Sequence, residues 1–483
     1  MPSRSKKRTD RGFTVLKLPE AFTENMKIIL KEDYPAWRDS FLELPANGLR
    51  VNENKISRSD FAALWKKFAH EELEEIPWVS SGFFTDGSAR YSKDPFFHAG
   101  LYYLQEPSAM TPAENLPVVP GDYVLDLCAS PGGKATQILS RLSGRGLLLA
   151  NDISASRAAV LKKNIEMSGA RNAFVTAEKP EKLAASFPEF FDAILVDAPC
   201  SGEGMFRREP SMASYWEMHG PSEYAPKQKE LLTEALQMLR PGGYLMYSTC
   251  TFSFEENEKN VLELLRKNPD LHLCAVKSFP GYSYGLPEIP VCEGASIEDG
   301  VKNRERACAD TTGIEKCVRL YSHKMRAEGQ FMALMKKEGN HSIRKEKEPL
   351  LLERDNEIYL LPEGLRPEPS LRYLMTGLHI GTRKKDRILL AQPFAMAGAP
   401  GCPLTILNLP HDDLRTIKYL KGETIEADDT LTAGPKEGQE CMTLFRKTRT
   451  KEILVMTEGF PLGFAERNGT FLKNKRNPGW RML

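Results

Sequence analysis

The sequence YVLDLCASPGGKATQIL, residues 123–139, contains a short apolar run, then a glycine-rich turn, then the start of an amphipathic segment. This order predicts a strand, a turn and a helix, and Gly132 and Gly133 would let the backbone approach a ligand closely. In an open parallel sheet such a turn lies at the carboxyl ends of the strands, where ligands bind. Two phosphate-binding motifs are excluded. A Walker loop needs Gly and Ser or Thr where Cys128 and Ala135 stand, and the GxGxxG pattern is absent.

The alternation of apolar strand and amphipathic helix continues from about residue 120 to 268. It predicts a mostly parallel, Rossmann-like α/β sheet with helices on both faces, because strands buried on both faces read as continuous apolar runs. Strands are predicted at 123–127, 147–150, 173–176, 191–196 and 244–247. Helices are predicted at 134–142, 155–167, 228–239 and 255–266.

Acidic residues follow three of these strands. Asp152 ends the second strand, where a carboxylate is placed to accept hydrogen bonds from a ribose diol. Glu178 follows the third strand and Asp197 ends the fourth. A glycine turn without phosphate signals, together with acidic strand ends, favours S-adenosylmethionine, which carries a ribose and a sulfonium charge but no phosphate. A Rossmann-like domain with another nucleoside ligand, or with none, is the alternative.

Two cysteines stand at the ends of neighbouring strands. Cys200 follows Asp197 by three residues, and Cys250 closes the fifth strand, so both are expected at the cofactor edge of the sheet. A thiolate that adds to carbon-6 of cytosine makes carbon-5 nucleophilic, and a second group can assist the later release. Asp197 could bind the amino edge of the base. Either cysteine alone would more often be a small buried hydrophobe, and the residues themselves do not decide which is the nucleophile.

Composition limits the class of protein. The 483 residues carry 66 Lys and Arg against 65 Asp and Glu, a net charge of +1, which excludes a uniformly basic surface but not a local basic patch. The nine cysteines are scattered, with no pair or Cys/His cluster at metal-ligand spacing, so we expect no metal site and no disulfide framework. No signal peptide or membrane-length apolar run is evident, so a cytoplasmic protein without a membrane span is expected.

Three segments together resemble the Sun family of RNA (cytosine-5) methyltransferases: LDLCASPGGKATQIL, FDAILVDAPCSGEGMFRR and GYLMYSTCTFSFEENE. LRVN at 49–52 and FHAGLYYLQEPSAM at 97–110 resemble the N-terminal and pre-core motifs of that family. VRLYSHKMRAEGQFMALMKK at 318–337 and the end FLKNKRNPGW are similar to its RsmF branch, which modifies bacterial small-subunit ribosomal RNA. The resemblance implies the class I S-adenosylmethionine-dependent methyltransferase fold.

The resemblance also implies roles for residues at matching positions. Cys250 would be the nucleophile, Cys200 would assist release of the product, and Asp197 would contact both base and cofactor. The cofactor-binding set would be Cys128, Ala129, Ser130, Pro131, Gly132, Gly133, Lys134, Asp152, Asp197 and, at the third acidic position, Glu178. Ser130 departs from the family, which more often has Ala there.

Five regions are expected along the chain. They are an N-terminal α+β RNA-binding region (1–112), the methyltransferase core (113–285), an RsmF-type extension (286–340), a charged linker (341–369) and a β-rich PUA-like RNA-binding domain (370–483). Short apolar runs between Gly, Pro and Asp turns predict the strands of the last region.

The expected partner is RNA, and the resemblance points to 16S rRNA in the small ribosomal subunit or an assembly intermediate. An unpaired cytosine needs basic side chains for phosphates and aromatic rings for stacking. The candidates are Arg50, Arg207, Arg208 and Lys227, with Lys229, the C-terminal Arg and Lys groups, Tyr102, Tyr103 and Trp216 as further candidates. A monomer is expected. The alternatives are the same chemistry on tRNA or another RNA, a non-catalytic RNA-binding assembly protein, a DNA cytosine-5 enzyme and a small-molecule methyltransferase. Only about 45 residues separate the fourth and fifth strands, which argues against a DNA enzyme with a target-recognition insertion.

Overall fold

The structure is a computed structural model that describes residues 17–286, 313–340, 344, 349–362, 364–385, 387–427, 431–433, 442–445 and 451–482. Its helices are α1 Glu20–Leu30, α2 Tyr34–Asp39, α3 Arg58–Ala69, α4 Arg90–Lys93, α5 Pro95–His98, α6 Thr111–Asn115, α7 Gly133–Leu142, α8 Ala155–Ser168, α9 Pro180–Ser186, α10 Ser211–Met218, α11 Pro221–Met238, α12 Glu258–Lys267, α13 Gln392–Met396, α14 Leu414–Leu420 and α15 Met442–Phe445.

Strands in the first three regions are β1 Asn47–Val51, β2 Gly82–Thr85, β3 Tyr102–Gln105, β4 Tyr123–Asp126, β5 Leu147–Asn151, β6 Ala173–Thr176, β7 Phe191–Asp197, β8 Leu239–Thr249, β9 Leu271–Cys274, β10 Ser283–Tyr284, β11 Val318–Tyr321 and β12 Gly329–Lys337. The later strands are β13 Leu350–Arg354, β14 Glu357–Leu361, β15 Tyr373–Thr376, β16 Leu378–Lys384, β17 Arg387–Leu390, β18 Thr405–Leu409, β19 Ile425–Glu426, β20 Thr432–Ala433, β21 Glu452–Thr457, β22 Phe460–Asn468 and β23 Phe471–Asn474.

A ten-stranded sheet in the order β10-β11-β12-β8-β7-β4-β5-β6-β15 carries the candidate site, with β9 paired to β12. Its centre, from β8 to β6, is parallel, and β12 and β15 add antiparallel strands at its two sides. The predicted Rossmann-like class is therefore confirmed. The sequence interpretation missed the antiparallel additions, since their partners lie far away along the chain.

Alternation of side chains across the central strands builds the core. Val124 and Leu148 face one apolar cluster, whereas Leu125 and Leu149 face the other, because successive residues of a strand point to opposite faces. All four are completely buried. Helices cover both clusters, which explains the continuous apolar runs in the sequence.

The end of α11 differs from the prediction. A helix to residue 239, closed by the turn Pro241-Gly242-Gly243, was expected, but α11 ends at Met238 and β8 begins at Leu239. Leu239 pairs with Phe191 of β7, and the register shifts before the pairing resumes at Tyr244. The pairing with β7 thus extends the strand through the turn signal.

The N-terminal region contains the small antiparallel sheet β2-β1-β3. Its first helices pack against the core: Phe22 and Trp37 share an apolar cluster with Phe206 and Phe252, which follow the two cysteines. Helix α3 is capped by Ser57, whose hydroxyl accepts from the amide of Asp60.

The C-terminal region contains two sheets, β13-β14-β16-β17 and β19-β23-β22-β21-β18-β20. The prediction of a linker at 341–369 is wrong, because residues 350–361 form an antiparallel pair of strands within the first sheet. Ile358 and Leu360 are buried against Leu378 and Ile380 in one cluster. Alternate apolar residues in β14 therefore outweigh the local charge density that suggested a linker. No helix among the described residues has the length and apolar character needed to span a membrane.

Candidate active site

The glycine turn between β4 and α7 packs closely against its neighbours. Gly132 has a φ of 112°, and a Cβ there would lie 3.2 Å from Cδ1 of Leu161 in α8. A Cβ on Gly133 would lie 2.9 Å from the side chain of Gln105, which ends β3. The two glycines are therefore needed for packing as well as for the approach of a ligand.

A pocket of about 200 Å³ opens beside this turn. The residues that line it come from β3, the end of β4, the turn, the start of α7 and the end of β7. They are Tyr103, Leu104, Gln105, Ala109, Asp126, Cys128, Ala129, Ser130, Pro131, Gly133, Lys134 and Asp197. The turn thus brings the predicted loop residues together around one cavity, with Gly132 at its back against α8.

Asp126 is the unexpected group in this pocket. Its side chain is completely buried, and neither carboxylate oxygen has a hydrogen-bond partner among the described residues. Burial first, then the charge of Asp197, raises the pKa of Asp126 to about 8. A buried acid without a partner, at the wall of a pocket, favours a cationic or hydrogen-donating ligand.

Asp197 connects the cofactor loop to the cysteine side of the site. Its Oδ2 accepts from Nζ of Lys134 at 2.7 Å, and its Oδ1 accepts from Oγ of Ser248 at 2.7 Å and from Nε2 of Gln330 at 3.3 Å. Burial alone lowers the pKa of Lys134, but the charge and hydrogen bond of Asp197 outweigh burial and raise it. Lys134 is therefore held in its charged form.

Asp152 and Glu178 lie at the ends of β5 and β6, as expected. Asp152 accepts from the amide of Ser154 at 2.9 Å and lies 3.3 Å from Nη2 of Arg157. Glu178 accepts hydrogen bonds from Nζ of Lys182 in α9 at 2.9 Å and from the backbone amide of Arg372, which directly precedes β15. This carboxylate is therefore already engaged within the protein. Asn151 joins the strand ends, donating to the carbonyls of Leu127 and Glu178.

The two cysteines face each other. Sγ of Cys200 lies 3.3 Å from Sγ of Cys250. The hydrogen bond to Cys250 first, and burial second, raise the pKa of the Cys200 thiol well above its ordinary value. The Cys200 thiol therefore holds its proton at neutral pH.

Buried carboxylates hold the two cysteine turns together. Glu256, completely buried, accepts from the amide and hydroxyl of Ser201 and from Nε2 of Gln228 at 2.8 Å. Oγ of Ser201 lies 2.8 Å from Oγ1 of Thr251, so residues next to each cysteine are joined directly. Glu203 accepts from the amide of Phe252 at 2.9 Å. Burial, then the charge of Glu256, raises the pKa of Glu203 to about 7.

Most of the predicted RNA-binding arginines are engaged within the protein, which corrects that expectation. Arg50 is 1% exposed and donates to the carbonyl of Gly133 and the hydroxyl of Thr136. Arg207 forms an ion pair with Glu328 at 2.8 Å and donates to two backbone carbonyls. Arg208 donates to Ala46 and Asn47. Lys227 remains 60% exposed, although Glu223 lies 2.8 Å away.

Most of the further RNA-binding candidates that the structure describes are likewise buried or paired within the protein. Tyr102 and Trp216 are buried, and Trp216 donates to Glu203. Tyr103 lines the cofactor pocket, and Lys229 pairs with Glu263. In the C-terminal region Arg476 is buried, and Arg446, Lys447 and Arg449 lie outside the described residues.

Sequence reasoning missed Asp126, Gln330 and Glu256 as parts of the site. Asp126 stands two residues before the loop, and an acidic side chain within an apolar strand is a signal that could have found it. Glu256 lies within the third quoted motif, but nothing local shows that its partner is Ser201. Gln330 reaches Asp197 only because β12 pairs with β8. No cluster of three His, Cys, Asp or Glu side chains suited to a metal ion occurs within the described ranges.

The glycine turn, the acidic strand ends and the sheet order define a class I, S-adenosylmethionine-dependent type of methyltransferase fold. Four family profiles match successive parts of the chain. From the N-terminus they are "N-terminal domain of 16S rRNA methyltransferase RsmF" (18–107), "16S rRNA methyltransferase RsmB/F" (113–336), "RsmF rRNA methyltransferase first C-terminal domain" (334–397) and "Methyltransferase RsmF PUA domain" (407–482). The chain is 31% identical over 452 residues to ribosomal RNA small subunit methyltransferase F of Enterobacter sp. (strain 638), covering 88% of each chain. The chain belongs to this RsmF family of rRNA methyltransferases.

Two solved structures from Pyrococcus horikoshii agree on the fold. A methyltransferase homolog protein superposes with a TM-score of 0.54 at 26% identity, covering 67% of this chain and 96% of that one. NSun6, solved with SFG, has a TM-score of 0.54 at 22% identity, covering 68% of this chain and all of that one.

Proposed function

We propose that this protein transfers a methyl group from S-adenosylmethionine to carbon-5 of cytosine in 16S rRNA. The observation that carries the proposal is the pair of sulfurs 3.3 Å apart, beside the Lys134–Asp197 ion pair and the glycine turn. Transfer to an exocyclic amine or to a ribose hydroxyl has no use for two thiols. Methylation at carbon-5 does, because the ring must first be activated and later released.

Cys250 is proposed as the nucleophile. Its thiolate adds to carbon-6 of the cytosine and leaves carbon-5 with enamine character. After methylation carbon-5 loses its proton to solvent water, and the electrons of that bond restore the double bond between carbon-5 and carbon-6. The bond between Cys250 and carbon-6 breaks, and the sulfur leaves as a thiolate. Cys200 assists this release, and the proton that its raised pKa retains suits a group that stays a thiol while its neighbour reacts. Asp197 would bind the amino edge of the base.

The pocket beside the glycine turn fits the cofactor. S-adenosylmethionine, when bound, supplies an electrophilic methyl group. The backbone from Cys128 to Gly133 would hold it, the carboxylate of Asp152 would accept from the ribose, and Lys134 would pair with its carboxylate. Glu178 is already engaged by Lys182 and Arg372 and is the weakest member of this set. The buried acid of Asp126, whose oxygens have no hydrogen-bond partner among the described residues, gives an independent reason for a polar, hydrogen-bonding ligand here.

The substrate proposal rests on the family, whose relatives are named for small-subunit rRNA. We propose that the protein acts as a monomer in the cytoplasm, on free 16S rRNA or on the assembling subunit. The PUA match at 407–482 supports RNA as the partner.

The test is to incubate the protein with labelled S-adenosylmethionine and 16S rRNA from cells that lack the corresponding methyltransferase. Digestion to nucleosides should yield labelled 5-methylcytidine. N4-methylcytidine or a ribose-methylated nucleoside would contradict the thiol mechanism. Label in tRNA but not in 16S rRNA would keep the chemistry and overturn the substrate.

A further inference from the structure

A partly exposed aromatic surface lies at the corner between α10 and α11. We call it the tyrosine face and define it by Tyr215, His219, Tyr224 and Lys227. Tyr215 is 45% exposed and stacks on His219, with ring centroids 4.4 Å apart and an interplanar angle of 23°. One large aromatic ring is thus held in a fixed orientation and still open to solvent.

Glu223 braces this surface. Its carboxylate lies 2.6 Å from Nδ1 of His219 and 2.8 Å from Nζ of Lys227. Nζ of Lys227 in turn lies 5.5 Å from the ring centroid of Tyr224. Stacking and ion pairing therefore fix the rings before any ligand arrives, which lowers the entropy lost on binding.

Both helices of the corner touch the turn that carries Cys200. A Cβ on Gly202 would lie 2.1 Å from Cε of Met212, which stands one helical turn before Tyr215. Nε2 of Gln228 donates to the carbonyl of Pro199 at 2.9 Å, and Gln228 stands one turn after Tyr224. Residues three or four apart share a helix face, so both tyrosines project on the side of the Cys200 turn.

Electrostatics agree with this placement. Burial first, then the hydroxyl of Tyr215, Glu223 and Cys200, raise the pKa of Tyr224. Tyr215 and Cys200 both contribute to this shift, which agrees with the position of Tyr224 between the α10–α11 corner and the Cys200 turn. The tyrosine face thus borders the place where the target base must lie.

The proposed reaction indicates which kind of ligand the tyrosine face binds. A cytosine can reach Cys250 only when it is unstacked, which leaves the base of the neighbouring nucleotide without one stacking partner. An open aromatic ring beside the thiols can replace that partner, and every nucleobase has a face that stacks on tyrosine. A peptide partner would not explain why the helices that carry the tyrosine face touch the Cys200 turn.

We propose that Tyr215 stacks on the nucleobase next to the target cytosine in single-stranded RNA, and that Lys227 contacts the adjoining phosphate. This inference rests on the proposed function and adds a binding site for the flanking nucleotide to it.

The test compares Tyr215→Ala, Tyr215→Phe and Tyr284→Ala in methylation of 16S rRNA. Tyr284 is the matched control, because it is a tyrosine that is 58% exposed and lies on β10 at the edge of the large sheet, outside the proposed RNA-binding regions. We expect Tyr215→Ala to raise KM for RNA about tenfold or more, as loss of one base–aromatic stack predicts. Tyr215→Phe should stay near wild type, the affinity for S-adenosylmethionine should not change, and Tyr284→Ala should match wild type.

A KM for RNA that is unchanged in Tyr215→Ala would overturn the inference, while 5-methylcytidine from the wild type would leave the proposed function intact. Equal impairment of Tyr215→Phe and Tyr215→Ala would assign the effect to the hydroxyl and reject stacking. Ultraviolet crosslinking of bound RNA, read by mass spectrometry, gives a second measurement that needs no turnover. A crosslinked peptide at 211–227 supports the inference. Crosslinks elsewhere with none at 211–227 contradict it and would leave this surface to a protein partner.

Discussion

The two halves of the site are built in different ways. The cofactor half is one continuous segment, residues 126–134, whose shape follows from two glycines and a strand end. The thiol half is assembled from two turns 50 residues apart that meet through Glu256, Ser201 and Thr251. The first depends on local backbone geometry, whereas the second depends on a buried polar network. Substitutions should therefore affect cofactor binding and methyl transfer separately, except where the halves join.

Asp197→Asn should give the largest effect, because Asp197 joins the halves. An amide would leave the Lys134 ammonium without its charge partner. The pair is only partly buried, with Asp197 30% exposed, so loss of this charged hydrogen bond costs about 1.5–3 kcal/mol. We expect kcat/KM to fall by up to about a hundredfold and the affinity for S-adenosylmethionine to fall as well. Isothermal titration and single-turnover kinetics measure the two quantities. A variant that loses only one of them would separate the halves at this residue.

Glu256→Gln should impair the thiol half alone. The amide cannot accept every bond that Ser201 and Gln228 now donate, so one buried donor would lose its acceptor at about 1–3 kcal/mol. We expect kcat to fall about tenfold or more, while the Kd for S-adenosylmethionine stays constant. Glu255→Gln, the neighbouring position, is the control. Weaker cofactor binding in Glu256→Gln would show that the halves are not independent.

Arg50→Met should lower stability rather than RNA affinity. The guanidinium is buried and donates to Gly133 and Thr136, at about 1.5–3 kcal/mol for a charged hydrogen bond. Denaturant unfolding should show the loss, and the salt dependence of RNA binding should match the wild type. Lys227→Met is the converse variant. Its stability should be unchanged, and the salt dependence of its RNA affinity should correspond to about one fewer released counterion. A reduced salt slope in Arg50→Met would restore its predicted role in RNA binding.

Asp126 should make stability depend on pH. Its pKa is about 8 in the folded protein and near 4 when unfolded, so the folded state holds the extra proton between these values. Stability should therefore fall as pH rises from 4 to 8, by at most about 1.4 kcal/mol per unit. Asp126→Asn should remove this slope, and unfolding at pH 5 and pH 8 measures it. Equal slopes in the variant and the wild type would mean that Asp126 is already ionised when folded.

The sequence was sufficient to predict the parallel sheet and the loop 128–134, because the apolar runs and Gly132–Gly133 act locally. It also indicated that Cys200 and Cys250 share one edge, since parallel strands end together. It could not show that Arg50 turns inward, that Gln330 arrives on an antiparallel strand, or that β14 pairs with β16. Each of these depends on a partner more than 15 residues away, which no local pattern reveals.

The central claim is that Cys250 attacks the base and Cys200 releases it. The most direct measurement is to express Cys200→Ala, Cys250→Ala and the double variant in bacteria, purify each under denaturing conditions, and sequence any RNA that remains attached. The account predicts that Cys200→Ala alone retains RNA and that this RNA is a segment of 16S rRNA. RNA on Cys250→Ala would reverse the two roles, and no attached RNA on any variant would contradict the covalent mechanism.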